Sequence, residues 1–208
     1  MTYQINEIKE IMNSIKEIMD ENKDYLIELD QKMGDGDLGL TMSKGFNAAC
    51  ESMAEDEEDI GALLLKASMA MNNAASSTMG TLVSSGIMQA GKTAKGHTEI
   101  DDQTFVKMVE EFVDGIKKRG KAEVGDKTIL DAVVPAVESL KSDLDSGTEL
   151  PEAMVNALSA AEEGVEATKE MVSQHGRAHY YGEKSKGKVD PGAVAGMLIF
   201  KAVKDYLN

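Results

Sequence analysis

Three aspartates close together in the sequence, Asp30, Asp35 and Asp37, are the strongest candidates for chemistry in this chain. Asp30 is predicted to lie in the last turn of a helix, and the other two lie in the glycine-rich turn at 34–39 that follows it. Carboxylates this close repel one another unless a cation lies between them, and oxygen ligands suit Mg²⁺. The alternative is a solvated turn whose aspartates only cap helices, and the spacing alone leaves both interpretations open.

An EF-hand calcium loop is excluded by the same spacing. The twelfth position of such a loop must carry a bidentate glutamate. Counting twelve positions from Asp35 reaches Phe46, and counting from Asp30 reaches Thr41. The aspartates therefore predict a magnesium-type site rather than this calcium motif.

Two further groups have side chains that suit phosphate. Ser76, Ser77 and Thr78 lie at the start of a predicted helix, where their hydroxyls and the free N–H groups of the first turn favour an anion. Helix capping alone is the alternative role for these residues. Arg177, one of only two arginines, stands between glycine-bearing loops. Its guanidinium suits bidentate bonds to phosphate oxygens, although an exposed surface charge is the commoner role of an arginine.

The segment Gly86–Thr93 satisfies the P-loop pattern G-x-x-x-x-G-K-[ST]. A P-loop needs a glycine-rich loop between a strand and a helix, so that its backbone amides wrap around phosphates. The interior here, Ile87-Met88-Gln89-Ala90, favours a helix whose amides are bonded internally. The segment is therefore predicted to be helical, and a P-loop NTPase is kept as an alternative function.

The composition narrows the class of protein. A net charge of −15 argues against a nucleic-acid partner, which needs a basic face. The single cysteine, Cys50, forms no internal disulfide, and the N-terminus lacks the apolar stretch of a signal peptide. Residues 67–91 carry no charge, but Asn72, Asn73 and several hydroxyl side chains make them too polar for a membrane span. We therefore expect a cytoplasmic protein that contacts neither nucleic acid nor membrane.

Apolar residues recur at helical spacing through most of the chain, and no stretch alternates convincingly, so a sheet has little support. Pro135 is expected to kink its helix, Asp190 before Pro191 predicts a helix start, and the acidic run at 55–59 predicts a solvated turn. Eight helical segments are predicted: a first one to about Asp30, then 40–53, 58–74, 78–92, 102–119, 128–145, 151–173 and 191–206. This pattern predicts an all-α bundle or barrel with residues 1–208 as a single domain.

Four connections between these helices carry glycine beside polar residues, at 34–39, 75–80, 120–126 and 182–192. A purely structural bundle needs short turns, but it does not need glycine and polar residues together at four helix connections. Glycine permits close approach of the backbone to a ligand, which favours a binding function at these loops. A structural bundle that binds neither metal nor nucleotide is the remaining alternative.

Taken together, the loops resemble the subunit L family of dihydroxyacetone kinases over nearly the whole chain. Three ordered blocks carry the resemblance, and they lie at 29–46, 119–131 and 176–193. Their most characteristic residues are Leu29-Asp30, Gly34-Asp35-Gly36-Asp37, Met42-Ser43-Lys44-Gly45-Phe46, Arg119-Gly120-Lys121-Ala122, Gly125-Asp126-Lys127-Thr128-Ile129-Leu130-Asp131, Gly176-Arg177-Ala178, Gly182-Glu183-Lys184-Ser185 and Asp190-Pro191-Gly192-Ala193.

The resemblance implies an antiparallel eight-helix barrel in which Asp30, Asp35 and Asp37 hold two Mg²⁺ ions that bridge the phosphates of ADP or ATP. It also implies a set of residues around the phosphates and the adenine. These are Leu38, Gly39, Thr41, Ser76, Ser77, Thr78, Gly120, Ile129, Arg177, Asp190 and Gly192.

The function implied by the resemblance is transfer of a phosphoryl group to a small ketose held on a ketose-binding kinase subunit. In bacteria, members of this family keep ADP as a standing cofactor, which a phosphoryl carrier subunit of the phosphoenolpyruvate system recharges, whereas fused relatives use ATP. No catalytic base is assigned to this chain, because the partner subunit is expected to activate the acceptor hydroxyl. The chain alone is therefore expected to be catalytically incomplete.

The serine loop at 76–81 and two positions of the first block differ from the family pattern. Leu38 stands where the family often has His, and Thr41 stands where it often has Asn. The hydroxyl of Thr41 keeps the ability to donate to phosphate, whereas Leu38 has no donor. A kinase subunit for another small ketose, such as a tetrulose, is therefore a further alternative.

Overall fold

The computed structural model describes residues 1–53 and 57–208. Glu55 and Asp56 of the predicted acidic turn lie outside these described residues. The rest of that turn, 57–59, precedes a helix that Asp59 caps by accepting a hydrogen bond from the Ala62 amide at 3.1 Å.

The described residues form nine α-helices and one small sheet. The helices are α1 (Ile5–Glu21), α2 (Lys23–Gln31), α3 (Leu38–Ser52), α4 (Ile60–Ala74), α5 (Thr78–Thr93), α6 (Asp102–Gly120), α7 (Leu130–Asp145), α8 (Leu150–Ala167) and α9 (Pro191–Leu207). Short 3₁₀ segments follow α8 at Thr168–Glu170 and Arg177–Ser185. The sheet pairs β1 (Thr2–Gln4) with β2 (Glu99–Asp101).

Two predicted helices differ from those observed. The first is divided at Asn22, whose side-chain amide donates to the Ile18 carbonyl at 2.8 Å and so competes with the helical backbone bond. The segment predicted at 151–173 leaves the α conformation after Ala167, where the Thr168 hydroxyl donates to the Val165 carbonyl at 2.6 Å. Pro135 lies inside α7, which continues to Asp145, and the expected kink at this residue stays a prediction.

The sequence did not predict β1 and β2, and the expectation that a sheet has little support was wrong for these two short strands. These strands pair antiparallel, with Tyr3 opposite Ile100. Each has only three residues, too few for a period-two pattern to appear in the sequence. The sheet ties the N-terminus to the connection between α5 and α6 and does not alter the all-α class.

The helices close into a ring. In chain order α1, α3, α4, α5, α6, α7, α8 and α9 each pack against the next, and α9 packs back against α1. The short helix α2 lies outside the ring order, against α3 and α9. Counting α1 and α2 as the one predicted segment, this is the expected eight-membered barrel, in which successive short connections alternate between the two ends.

Apolar side chains from all nine helices form one continuous core, which encloses an apolar cavity of about 110 Å³ inside the barrel. None of the helices in the described ranges combines the length and the apolarity that crossing a membrane requires. The uncharged stretch at 67–91 is divided between two separate helices, α4 and α5, which agrees with the predicted segments 58–74 and 78–92.

Candidate functional site

Four helix connections enclose an open cleft of about 880 Å³ at one end of the barrel. They join α2 to α3, α4 to α5, α6 to α7 and α8 to α9. Because connections alternate between the two ends of an up-and-down barrel, these four lie together. They carry the four glycine-bearing loops that the sequence indicated.

The structure brings most of the predicted site residues into this cleft. All three aspartates line it, and so do nine of the eleven residues expected around the nucleotide: Leu38, Ser76, Ser77, Thr78, Gly120, Ile129, Arg177, Asp190 and Gly192. Gly39 and Thr41 do not line it. A Cβ at Gly39 would lie 2.0 Å from the Lys23 carbonyl oxygen, so this glycine lets α3 approach α2, while Thr41 is buried within α3. A nucleotide role for these two residues stays a prediction.

The carboxylates of Asp30, Asp35 and Asp37 form a compact cluster on one wall of the cleft. One oxygen from each of them lies within 4.8 Å of the others. Asp30 also closes the turn, because its Oδ2 accepts hydrogen bonds from the amides of Asp37 at 3.1 Å and Leu38 at 3.4 Å. The Asp30 carboxylate thus organises the turn that carries the other two aspartates.

The electrostatics of the cluster favour a cation. Burial, followed by the negative charges of Asp35 and Asp30, raises the pKa of the Asp37 carboxyl, against an opposing effect of Arg177. Arg177 contacts the cluster directly, with its Nη2 2.7 Å from Oδ2 of Asp35. Three converging carboxylate oxygens are the donor set that Mg²⁺ prefers, so the residues fit the predicted metal.

Four helix N-termini face the same cleft, because α3, α5, α7 and α9 all begin at this end of the barrel. The unpaired N–H groups and the positive end of each helix dipole attract anions. Ser77 caps α5 by accepting from the Gly80 amide at 3.2 Å, which confirms capping, and leaves Ser76 and Thr78 exposed beside it. These helix N-termini therefore make the cleft favourable for phosphate although the chain as a whole is acidic.

Two buried aspartates shape the remaining walls. Asp190 caps α9, as predicted, by accepting from the Ala193 amide at 2.8 Å, and burial raises its pKa to about 7. Asp131 accepts from the amides of Gly125 and Thr128, both at 2.6 Å, and so fixes the loop between α6 and α7. These bonds hold the backbone that lines the cleft.

The sequence-based site did not include several residues that the structure places in the cleft. The main ones are Met33, Met79, Leu82, Arg119, Lys127 and His175. The methionines, Leu82 and Ile129 form the apolar wall of the cleft, which together with the carboxylates suits a ligand with a flat apolar part and a charged part. Arg119 and Lys127 belong to the family-like block at 119–131. Because the chain has only two arginines, the rarity of this residue type could have identified Arg119 as a site residue.

The P-loop-like segment Gly86–Thr93 lies wholly within α5, so the prediction that it is helical is confirmed. A Cβ at Gly86 would lie 2.6 Å from the Phe112 ring and 2.8 Å from its carbonyl oxygen. Gly86 therefore lets α5 and α6 approach closely and does not cradle phosphate. Lys92 is exposed and lies outside the cleft.

Lys92→Ala should leave the affinity for Mg·ADP unchanged within about twofold, as for other exposed positions away from the site. In a true P-loop the lysine contacts the phosphates, and its loss is severe. Isothermal titration of both proteins, with helicity checked by circular dichroism, makes the comparison. A tenfold weaker affinity in a fully helical variant would reinstate the P-loop hypothesis.

The proteins that this chain resembles include nucleotide-binding subunits, in agreement with the geometry of the cleft. The DAK2 domain family matches residues 32–205. The chain is 35% identical over 179 residues to the ADP-binding subunit DhaL of a PEP-dependent dihydroxyacetone kinase from Escherichia coli, covering 86% of this chain and 85% of the relative. It is 32% identical over 204 residues to a Listeria innocua subunit of the same description, covering 98% and 97%.

Longer proteins share the domain as well. An L-erythrulose 1-kinase from Mycolicibacterium smegmatis is 34% identical over 192 residues, which cover 90% of this chain and 33% of that protein. The crystal structure of the C. freundii dihydroxyacetone kinase in complex with AMP-PNP and Mg²⁺ superposes with a TM-score of 0.72 at 24% identity, covering 95% of this chain and 33% of that one. The match to the DAK2 domain model and the similarity to these ADP-binding subunits establish that the chain belongs to the DAK2 domain family.

Proposed function

We propose that this chain is the nucleotide-binding phosphotransfer subunit of a dihydroxyacetone-type kinase and that it works in the cytoplasm. The observation that carries the proposal is the cleft, where a three-carboxylate cluster faces four helix N-termini and Arg177. Carboxylates that can bind a cation and N–H groups that can bind an anion thus line the same cleft. A magnesium-bound polyphosphate would use both sets of groups. The names of the E. coli and L. innocua relatives support ADP as the resident nucleotide.

In this proposal Asp30, Asp35 and Asp37 would hold two Mg²⁺ ions, and the hydroxyls and amides at the start of α5 would bind the phosphates. When bound, the magnesium ions neutralise the charge that develops on the phosphoryl oxygens. Arg177, whose guanidinium contacts Asp35 beside the cleft, would bind the phosphates. The apolar wall receives the adenine. Phosphoryl transfer needs positioning and charge neutralisation more than a protein nucleophile, so none is assigned to this chain.

The acceptor is a small ketose held on a ketose-binding subunit that docks over the cleft. The charge of the surface around the cleft indicates that the partner subunit would dock through an acidic surface. Residues 117–126 and 177–188 contain eight of the 22 Lys and Arg residues of the chain and only three of its 37 Asp and Glu residues. A basic rim on an otherwise acidic protein steers an acidic partner to this end of the barrel.

The phosphoryl donor in this proposal is a carrier subunit of the phosphoenolpyruvate system, which recharges ADP in place. Support comes from the relatives described as PEP-dependent and, in Lactococcus lactis, as PTS-dependent. A kinase for a tetrulose is the second candidate, because the M. smegmatis relative is named an L-erythrulose 1-kinase and the pattern changes at Leu38 and Thr41.

A single-turnover assay tests the proposed function. The chain loaded with Mg·ATP should phosphorylate dihydroxyacetone only when a ketose-binding subunit is present, and the rate should fall as ionic strength rises, because salt screens the basic rim. Parallel reactions with erythrulose separate the two candidate acceptors. Transfer by the isolated chain, or ATP hydrolysis unaffected by the partner, contradicts the proposal and favours an independent NTPase.

A further inference from the structure

The segment between α8 and α9 that carries Arg177 has almost no apolar anchoring. We call residues 171–188 the Arg177 lobe. None of the buried apolar core residues falls between Val165 and Ala193. The buried side chains of this region are polar instead: Thr168, Ser173, Ser185 and Asp190. Polar contacts must therefore determine where the lobe sits relative to the cleft.

The ammonium group of Lys127 makes the most extensive of these contacts. Lys127 is only 2% exposed, and its Nζ donates to the carbonyl oxygens of Ser185 at 2.7 Å, Lys188 at 2.6 Å and Met171 at 3.4 Å. An ammonium has three N–H donors, and each has an acceptor here. Because Met171 begins the lobe and Lys188 ends it, a single side chain joins its two ends.

The residue before Lys127 ties the same lobe at its start. The Asp126 carbonyl accepts from the Gln174 amide at 3.0 Å, and its carboxylate lies 3.1 Å from Nε2 of His175. Lys127 itself has a left-handed backbone with φ of 63°, which a residue with a Cβ adopts only at an energetic cost. The loop between α6 and α7 is thus held in a strained conformation that aims the ammonium into the lobe.

Lys127 lines the cleft, but its ammonium is committed to backbone oxygens and has no donor left for a phosphate. A direct role as a phosphate ligand would require breaking these bonds. The geometry instead makes Lys127 act on the ligand through the lobe, where Arg177 already reaches across to Asp35 at 2.7 Å.

We propose that Lys127 is the positioning residue for Arg177: its caged ammonium holds the Arg177 lobe over the cleft so that the guanidinium meets the nucleotide phosphates. The proposal rests on the proposed function of the cleft as a Mg·ADP site. It adds a residue whose role is to place Arg177 and which does not touch the nucleotide.

Lys127→Met tests the proposal, because it removes the three donors and keeps most of the stem. Lys121→Met is a matched control: Lys121 lies in the same loop with a left-handed φ of 54°, is exposed, and makes no ion pair or side-chain hydrogen bond among the described residues. We expect Lys127→Met to weaken Mg·ADP binding about tenfold or more, since it removes charged hydrogen bonds, and Lys121→Met to change it less than twofold.

A double-mutant cycle with Arg177→Ala distinguishes positioning from a merely structural role. If Lys127 acts through Arg177, Lys127→Met should cost little further affinity in the Arg177→Ala background. An equal loss in both backgrounds, or no loss in the wild-type background, overturns the proposal. Should Lys127→Met fail to fold, Lys127→Gln, which keeps two N–H donors, replaces it in the cycle.

Hydrogen exchange of the apo proteins provides a readout independent of nucleotide. The amides of Gln174 and Gly187 donate to the Asp126 and Lys169 carbonyls and should exchange faster in Lys127→Met than in Lys121→Met. Unchanged exchange at both amides overturns the proposal. A wild-type chain that binds no Mg·ADP contradicts the proposed function instead, and the exchange measurement still decides whether Lys127 holds the lobe.

Discussion

Asp35→Asn should abolish Mg²⁺-dependent nucleotide binding while leaving the helical barrel intact. The substitution removes one of the three carboxylates whose oxygens lie within 4.8 Å of one another. We expect the affinity for Mg·ADP to fall on the order of a hundredfold or more, because even groups that only support metal ligands cost 10–100-fold when removed. Isothermal titration with ADP at several magnesium concentrations measures the loss.

The same substitution should not destabilise the apo protein. It removes the ion pair between Asp35 and Arg177, but that pair is exposed, at 39% and 69% of the two side chains, and such pairs contribute little. It also relieves repulsion within the cluster: the negative charge of Asp35 acts in addition to burial to raise the pKa of the Asp37 carboxyl, and the substitution removes that charge. The apo melting temperature should therefore stay the same or rise, and a large drop would show that the cluster is needed for folding.

Asp24→Asn is the matched control for Asp35→Asn. Asp24 lies on α2, as Asp30 does, but it is exposed, lies outside the cleft and makes no ion pair among the described residues. This control should bind Mg·ADP like the wild type. If Asp35→Asn also binds Mg·ADP with unchanged affinity, the assignment of the metal site is wrong.

Mg·ADP should raise the melting temperature of the wild-type protein by about 5–10 °C when present at a hundredfold excess over its dissociation constant. A ligand that binds only the native state then stabilises by about 2.7 kcal/mol, which corresponds to that shift for a domain of this size. ADP without magnesium should give much less, because its phosphates then face three uncompensated carboxylates.

Hydrogen exchange in four conditions, apo, ADP, Mg²⁺ and both, locates this stabilisation. Protection should appear at the cleft loops 34–39, 76–80 and 182–192. The connection at 146–149 belongs to the opposite end of the barrel and is an internal control that should not change. Equal protection by ADP with and without magnesium would contradict the metal-bridged site even if nucleotide binding itself is confirmed.

The sequence by itself determined the helices and the cluster of aspartates, because both depend on residues close together in the chain. Apolar periodicity placed α3 to α7 and α9 within a few residues of their observed bounds. Asp30, Asp35 and Asp37 lie within eight residues, so a single turn is enough to bring them together. The helical conformation of Gly86–Thr93 followed from the propensity of its interior, against a literal motif match.

Only the tertiary structure decided how distant segments meet. The ring order brings α3, α5, α7 and α9 to begin at one end, and no local pattern encodes that convergence. The cage around Lys127 joins residues 44 to 61 positions apart, so it depends on where two loops are held by the barrel. Gly39 carries no local signal of the Lys23 carbonyl beside it. Hydrogen bonds and close contacts between remote residues depend on how the helices pack. Sequence periodicity predicts only which residues are buried or exposed, and not which of them meet.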